Sequence, residues 1–268
     1  VANSDYLIPG WVSSGTLVLA CSYSGNTEET IEAVKYAHKR GATIAVITSG
    51  GELGELAGKN NWPMVSMPGG QPPRSQFGRS FIGLAWTLLQ FGCFSEKMFS
   101  ELEETSKSTA EAFEAVCEQA ESLADLVEGK TIYLYSDTGA GAIATRWRQQ
   151  LNENSKLLVN TQLFPEMNHN ELVGWDSGNE SCVAVILRTP EDHKRTQFRM
   201  SVCSEIFREL GADVVMIDAE GENQMQRLMY LNQLSDWLSL LLAERSGTCP
   251  VDIKNIIRLK SALESFNG

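Results

Sequence analysis

Residues 16–48 read TLVLACSYSGNTEETIEAVKYAHKRGATIAVIT, and their order of patterns decides the fold class. Thr16–Cys21 is a short apolar run with a β-branched residue inside it, which predicts a buried strand. The polar loop Ser22-Tyr23-Ser24-Gly25-Asn26-Thr27 follows, and a helical pattern runs from Glu28 to about Arg40. Gly41 is placed to cap that helix, and Ala42–Thr48 is a second buried strand. Strand, loop, helix and strand in this order make a βαβ unit. Such units build parallel sheets, because two parallel strands need a crossover between them.

Working outward, Asn61–Ser66 predicts a third, shorter strand, and Gly69–Arg74 (GGQPPR) a Gly/Pro-rich loop. Ser80–Phe94 reads as a helix too uniformly apolar to lie on a surface. Glu101–Val127 is polar and amphipathic, a connecting helix stopped by Gly129. A second strand–loop–helix–strand series then begins: Thr131–Tyr135, the loop SDTGAGA (136–142), a helix from about Ile143 to Asn152, and a short strand at Leu157–Thr161. Cys182–Leu187 and Asp213–Ile217 are further strands, separated by a helix over His193–Leu210. Gln224–Ala243 is an apolar helix, and the tail passes through Pro250 to a last helix from about Asn255. The chain is therefore α/β, with a weak internal duplication: residues 1–100 form one subdomain, 101–128 a connecting helix and 129–268 a second subdomain. Open α/β sheets bind ligands beyond the carboxyl ends of their strands, where both SYSGNT and SDTGAGA fall.

Composition narrows the function. The 268 residues carry 22 Lys+Arg against 34 Asp+Glu, a formal charge of −12, with no basic block to offer a nucleic acid. No stretch reaches the ~20 apolar residues of a membrane span, and the N-terminus lacks the pattern of a signal peptide. The six cysteines are scattered without a CxxC pair, which favours buried free thiols in a cytoplasmic protein over a disulfide framework. The three histidines and six cysteines show no metal-ligand spacing, GxGxxG is absent, and neither a metal nor a dinucleotide or other cofactor is expected. Trp86, Trp147, Trp175 and Trp237 are expected to serve core or interface packing rather than as a sugar platform.

The SYSGNT loop carries an anion signal. Ser22, Ser24 and Thr27 supply three hydroxyls, Gly25 permits a tight turn, and a helix begins just beyond. A helix N-terminus offers free N–H groups and a partial positive charge, so these groups suit a phosphate monoester. The same residues also suit plain helix capping, with Ser24 or Thr27 as N-cap and a glutamate at N3, and the two uses are compatible.

Ser-x-Ser-Gly-Asn-Thr-Glu-Glu-Thr (22–30) after a buried strand resembles the phosphosugar loop of sugar isomerase (SIS) domains. Pro72-Pro73-Arg74, Asn152-Glu153-Asn154-Ser155-Lys156 and Pro165-Glu166-Met167-Asn168-His169-Asn170-Glu171 narrow the resemblance to the bifunctional phosphoglucose/phosphomannose isomerase family. It runs from Ser4-Asp5-Tyr6 through the Pro250 tail and implies two SIS-type subdomains, each a parallel sheet flanked by helices. Family members carry an earlier strand with a Gly-Gly-Ser loop and a helix before the Asp-Tyr segment. The present sequence starts after that point, so the expectation is an N-terminal subdomain without them.

The resemblance also implies a chemistry: reversible isomerisation of glucose 6-phosphate, and of mannose 6-phosphate, to fructose 6-phosphate through a cis-enediol. Such a reaction needs a base near C1 and C2, a cation for the enediolate and a group that opens the ring. By resemblance Glu153 is the base and Arg74 the cation, with Arg79 a structural competitor. His169, in a polar loop rather than on an apolar face, opens the ring from the neighbouring subunit of a homodimer. The tail PVDIKNIIRLK (250–260) supplies an active-site lysine, Lys260 or alternatively Lys254. Glu166 and Glu171, flanking His169, are expected to face solvent. Two other readings use the same SIS loop: a non-catalytic phosphosugar-binding regulator, which would not need Glu153, His169 and Arg74 together, and the isomerase half of an amidotransferase, which needs a glutaminase.

Overall fold

The computed structural model describes residues 1–177 and 180–266. Contacts divide the chain into two units, Val1–Met98 and Phe99–Gly268.

In the first unit, strand β1 (Leu17–Cys21) and strand β2 (Thr43–Thr48) are joined by helix α1 (Glu28–Lys39). The strands pair in parallel, from Leu17 beside Thr43 to Cys21 beside Ile47. Ile44 through Thr48 are all buried, as a parallel strand covered on both faces requires. Helix α1 turns Ile31, Val34 and Ala37 inward at helical spacing. Strand β3 is only Met64–Ser66, shorter than the sequence predicts, and it pairs in parallel with β2, giving the order β1-β2-β3. Between β2 and β3 lies helix α2 (Gly51–Asn60), which the sequence pattern does not announce. Its three glycines weaken the helical signal, but the parallel pair demands a crossover and burial of Leu53 and Ala57 holds it in place. Helix α3 (Phe77–Gln90) follows a 3₁₀ turn at Pro73–Gln76. Its expected full burial does not hold: Gly83, Ala85 and Thr87 face inward, while Ile82 and Trp86 are 46% and 50% exposed. Gly83 lets the helix approach Val65 and Ile47 closely, so small residues make the inner face and large ones the outer.

The single helix expected over 101–127 is two, α4 (Lys97–Glu111), in whose first turn the second unit begins, and α5 (Phe113–Val127). Phe113, at the start of α5, meets the Trp237 ring edge-on at 5.3 Å. Strands β4 (Thr131–Asp137), β5 (Val159–Phe164), β6 (Cys182–Arg188) and β7 (Asp213–Asp218) form a parallel sheet in the order β5-β4-β6-β7. Helix α6 (Gly141–Asn154) connects β4 to β5; the short α7 (Glu171–Gly174) precedes β6; α8 (Lys194–Glu209) connects β6 to β7. Helix α9 (Gln224–Arg245) and helix α10 (Lys254–Glu264) complete the unit.

Period-two alternation in β6 makes two cores. Val183, Val185 and Leu187 join Ile132, Leu134 and residues of α5, α6 and α9 on one face. Ala184 and Ile186 join Tyr135, Phe164, Trp175, Met200 and Phe207 on the other. The seam between α6 and α9 is polar as well as apolar. The Trp147 indole donates to the Leu231 carbonyl at 2.8 Å, and Asp236 accepts from Arg146 at 3.0 Å and from the Gln150 amide. Burial holds the Asp236 carboxyl above its ordinary value despite these donors.

The expectation of buried thiols needs correction. All six cysteines are free, but only Cys182 and Cys203 are buried, while Cys21, Cys93 and Cys249 are exposed and Cys117 lies between. Cys249 sits in the polar tail after α9 and Cys93 in a turn after α3, so neither has a core to enter. Trp147 and Trp175 are buried as expected, but Trp86 lies on the outer face of α3. No helix among the described residues is long and apolar enough to cross a membrane.

Candidate active site

The loop after β1 is set by contacts that only glycine permits. Gly25 has φ +70°, and a Cβ there would stand 1.7 Å from the Gly50 carbonyl oxygen. The loop after β2 presses this close because it is tied to SYSGNT. Ser49 donates to the Tyr23 carbonyl through both its N–H (2.9 Å) and its hydroxyl (2.6 Å). The Leu53 N–H reaches the Gly25 carbonyl at 2.9 Å, and the Glu52 N–H reaches the Asn26 side-chain oxygen at 3.0 Å. The Tyr23 hydroxyl donates to the Pro68 carbonyl at 2.9 Å and accepts from the Gln71 N–H at 3.1 Å. All three loops beyond the carboxyl ends of the first sheet therefore brace one another.

Within that frame the hydroxyls gather. Ser22 Oγ and Thr27 Oγ1 are 2.7 Å apart, and Ser22 Oγ also accepts from the Gly25 N–H at 3.2 Å. Ser22 is buried, Thr27 half-buried and Ser24 exposed. Thr27 occupies the N-cap position of α1 but makes no side-chain cap bond. N3 is Thr30 rather than a glutamate, so the capping box does not form. The Thr27 hydroxyl has turned to Ser22 and left the first-turn amides of α1 without an N-cap side chain. That is the arrangement an anion's oxygens can enter. The second loop is different. In SDTGAGA the Asp137 carboxylate already accepts from the Gly139 N–H at 3.2 Å and the Thr138 hydroxyl at 3.0 Å, filling the turn with negative charge.

Arg74 stands half-buried in the 3₁₀ turn Pro73–Gln76, three residues beyond the Gln71 amide that binds Tyr23. Its competitor Arg79 is committed to the Gln76 side-chain oxygen at 2.5 Å, in line with a structural role.

Glu153, half-buried, lies in the last turn of α6. Its neighbours are fixed to α9. The Asn154 amide donates to Ser239 Oγ at 2.9 Å, and the Ser155 hydroxyl donates to the Ser239 carbonyl at 2.6 Å. Lys156 follows with φ +60°, a left-handed conformation that usually calls for glycine. Its Nζ donates to the Glu153 carbonyl and, at 3.1 Å, to the Cys249 carbonyl of the tail.

His169 ends a 3₁₀ turn at Glu166–His169 and is exposed. The turn is pinned on both sides of it. The Asn168 amide donates to the buried Cys203 Sγ at 3.0 Å, and Arg199 donates to its oxygen at 3.3 Å. Glu171 does not face solvent as expected: it is half-buried and accepts from the Tyr135 hydroxyl at 2.6 Å. The Trp175 indole in turn donates to that hydroxyl at 3.1 Å. Burial, with the Glu171 carboxylate beside it, pushes the Tyr135 hydroxyl far above its ordinary value, so it stays a donor. The alternating pattern of Thr131–Asp137 contains the signal for this partner: a tyrosine on the inner face of a strand must satisfy its hydroxyl somewhere.

Lys260 is exposed on α10, along with the whole of that helix. Lys254, its alternative, is paired with Asp252 at 2.6 Å. Ser22, Ser24, Thr27 and Arg74 thus belong to the first unit, and Glu153, His169 and Lys260 stand on three separate elements of the second.

Residues 117–263 match the bacterial phospho-glucose isomerase C-terminal SIS domain, and residues 8–57 match the SIS domain. The chain is 35% identical over 274 residues to the bifunctional phosphoglucose/phosphomannose isomerase of Caldicellulosiruptor bescii, covering 98% of this chain and 80% of that protein. The chain belongs to the bifunctional phosphoglucose/phosphomannose isomerase family. The family's protein from Aquifex aeolicus is 34% identical, over 97% of this chain and 80% of its own. In fold, the chain is similar to the crystal structure of a hypothetical protein from Thermus thermophilus, with a TM-score of 0.73 at 17% identity, covering 93% of this chain and 71% of that one. The SIS match contains the Ser22–Thr27 loop, the C-terminal match contains Glu153, His169 and Lys260, and Arg74 lies outside both ranges.

Proposed function

We propose that this protein is an aldose–ketose isomerase that interconverts glucose 6-phosphate and mannose 6-phosphate with fructose 6-phosphate. The observation that carries the reading is 35% identity across 98% of the chain to a protein named for both activities. The hydroxyls of Ser22, Ser24 and Thr27 and the first-turn amides of α1 hold the phosphate. His169, supplied by the partner subunit of a homodimer, passes a proton to the ring oxygen as the hemiacetal opens. Glu153 removes the C2 proton of the open aldose while the C1 carbonyl oxygen gains a proton, giving the cis-enediol. The same carboxyl then returns a proton to C1 as the C2 hydroxyl loses its own, leaving a ketone. Arg74 stabilises the oxyanion that develops between these steps, and Lys260 is assigned to the sugar's polar groups. The electrons move within the substrate, so the step balances without an external oxidant or reductant. A cytoplasmic location fits a substrate of that kind.

Glu153→Gln tests the assignment. Glutamine keeps the shape and hydrogen bonding but cannot accept the proton. A positioned base contributes about 10²–10⁴-fold. In deuterated water, incorporation of label at C2 of glucose 6-phosphate should fall by at least that range while KM stays near its native value. Exchange at close to the native rate would remove Glu153 from the mechanism and favour a phosphosugar-binding regulator.

A further inference from the structure

A base in the last turn of a helix is badly placed for precision. Helix ends fray, and the final carbonyls have no partner within the helix. The end of α6 is nevertheless held from two sides. On the α9 side, Ser239 is fully buried and accepts from Asn154 through its hydroxyl and from Ser155 through its carbonyl. The same hydroxyl donates to the Asp236 carbonyl at 2.9 Å, so it is itself fixed in rotation. On the tail side, Lys156 occupies a left-handed backbone position, which strains an L-residue and suits a glycine. Its ammonium occupies the Glu153 carbonyl, and through the Cys249 carbonyl it joins that turn to the tail.

We propose that Ser239 and Lys156 are positioning residues for Glu153. Together they fix the last turn of α6, so that the carboxyl is presented in one place rather than over the range of a fraying end. The inference rests on the reading of Glu153 as the base. A misplacement of about 1 Å at a reacting group can cost on the order of 10²-fold in rate. Ser239→Ala and Lys156→Gly should therefore lower kcat by about 10- to 100-fold with KM within about twofold. Lys156→Gly removes the ammonium from both carbonyls without straining the left-handed position, where glycine is at ease.

The test measures kcat, KM and the melting temperature for Ser239→Ala, Lys156→Gly, Asn154→Ala and the double variant Ser239→Ala/Asn154→Ala, with Glu153→Gln alongside. The expected result is a loss in kcat alone, at temperatures where every variant is folded. The 239 and 154 losses should overlap rather than multiply in full, since both variants remove the hydrogen bond that joins the two residues. If Glu153→Gln is inactive in proton exchange but Ser239→Ala and Lys156→Gly turn over like the native protein, the positioning proposal fails alone. Losses that multiply, or that track melting temperature, also overturn it. If Glu153→Gln remains active, the base assignment fails and the proposal falls with it.

Discussion

Replacing Gly25 by alanine should damage stability and substrate binding together, and the size of the effect follows from the loop geometry. The backbone at φ +70° costs an L-residue about 1–2 kcal/mol. The added methyl would lie 1.7 Å from the Gly50 carbonyl oxygen, far inside the ~3.5 Å of ordinary contact. The obstacle is backbone, so no rotamer change relieves it. The loops after β1 and β2 must part, and the bonds from Leu53 to Gly25, Glu52 to Asn26 and Ser49 to Tyr23 stretch or break. At about 0.5–1.5 kcal/mol net for each, the whole loss is on the order of 3–6 kcal/mol. For a chain of this size that is a fall in Tm of at least roughly 6 °C. Gly54→Ala provides the control. That Cβ would sit 3.7 Å from the Thr48 methyl, in ordinary contact within α2, and alanine there should gain roughly 0.5–1 kcal/mol. Thermal unfolding of both variants, with KM for glucose 6-phosphate, checks the pair. If Gly25→Ala melts with the native protein and binds substrate equally well, the account of the bracing loops is wrong.

Ser24→Ala should raise KM for the phosphosugar about tenfold, as loss of a hydrogen bond of ~1.5–3 kcal/mol to a charged group implies; a steady-state assay with unchanged KM would remove Ser24 from the phosphate site. Asp192 makes a pH prediction. Burial holds its carboxyl above the ordinary value even though the Thr189 N–H and hydroxyl donate to it at 2.8 and 2.7 Å. The folded chain therefore keeps this proton to a higher pH than the unfolded chain does. The stability linked to it is present below the unfolded value of about 3.9 and is lost as pH rises through the folded one. Urea midpoints of Asp192→Asn should lack that decline, and parallel pH profiles for the two proteins would refute it.

Much of this was legible because the responsible signals are local. The run CVAVIL is apolar at every position, and a strand with both faces covered must be. The turn at SYSGNT was legible for the same reason, since its glycine and the helix start beyond it lie within a few residues. What the pattern left out depends on contacts distant in sequence. Helix α2 was hidden by its glycines and exists because two parallel strands need a bridge. Thr27 suited an N-cap as well as an anion site, and the absence of its cap bond follows from a hydroxyl partner five residues earlier. Glu171 looked like a solvent carboxylate because the tyrosine that claims it lies 36 residues away. Ser239 carries no motif, and its bonds to Asn154 and Ser155 span about a third of the chain.

The polar seam between α6 and α9 bears on which neighbouring sequences can share this fold. Two helices meeting through aliphatic side chains alone can slide by a turn, about 5.4 Å, and still bury comparable surface. Here the indole on Leu231, the guanidinium and amide on Asp236, and the asparagine on Ser239 match at one alignment only. A slip by one turn would leave a half-buried carboxylate facing no cation and a buried indole facing no carbonyl, each at a cost in stability. The seam therefore works as a vernier: it sets the axial position of α6 against the body of its unit. Substitutions along it should survive in matched pairs across the two helices, whereas the aliphatic positions between them can drift one at a time.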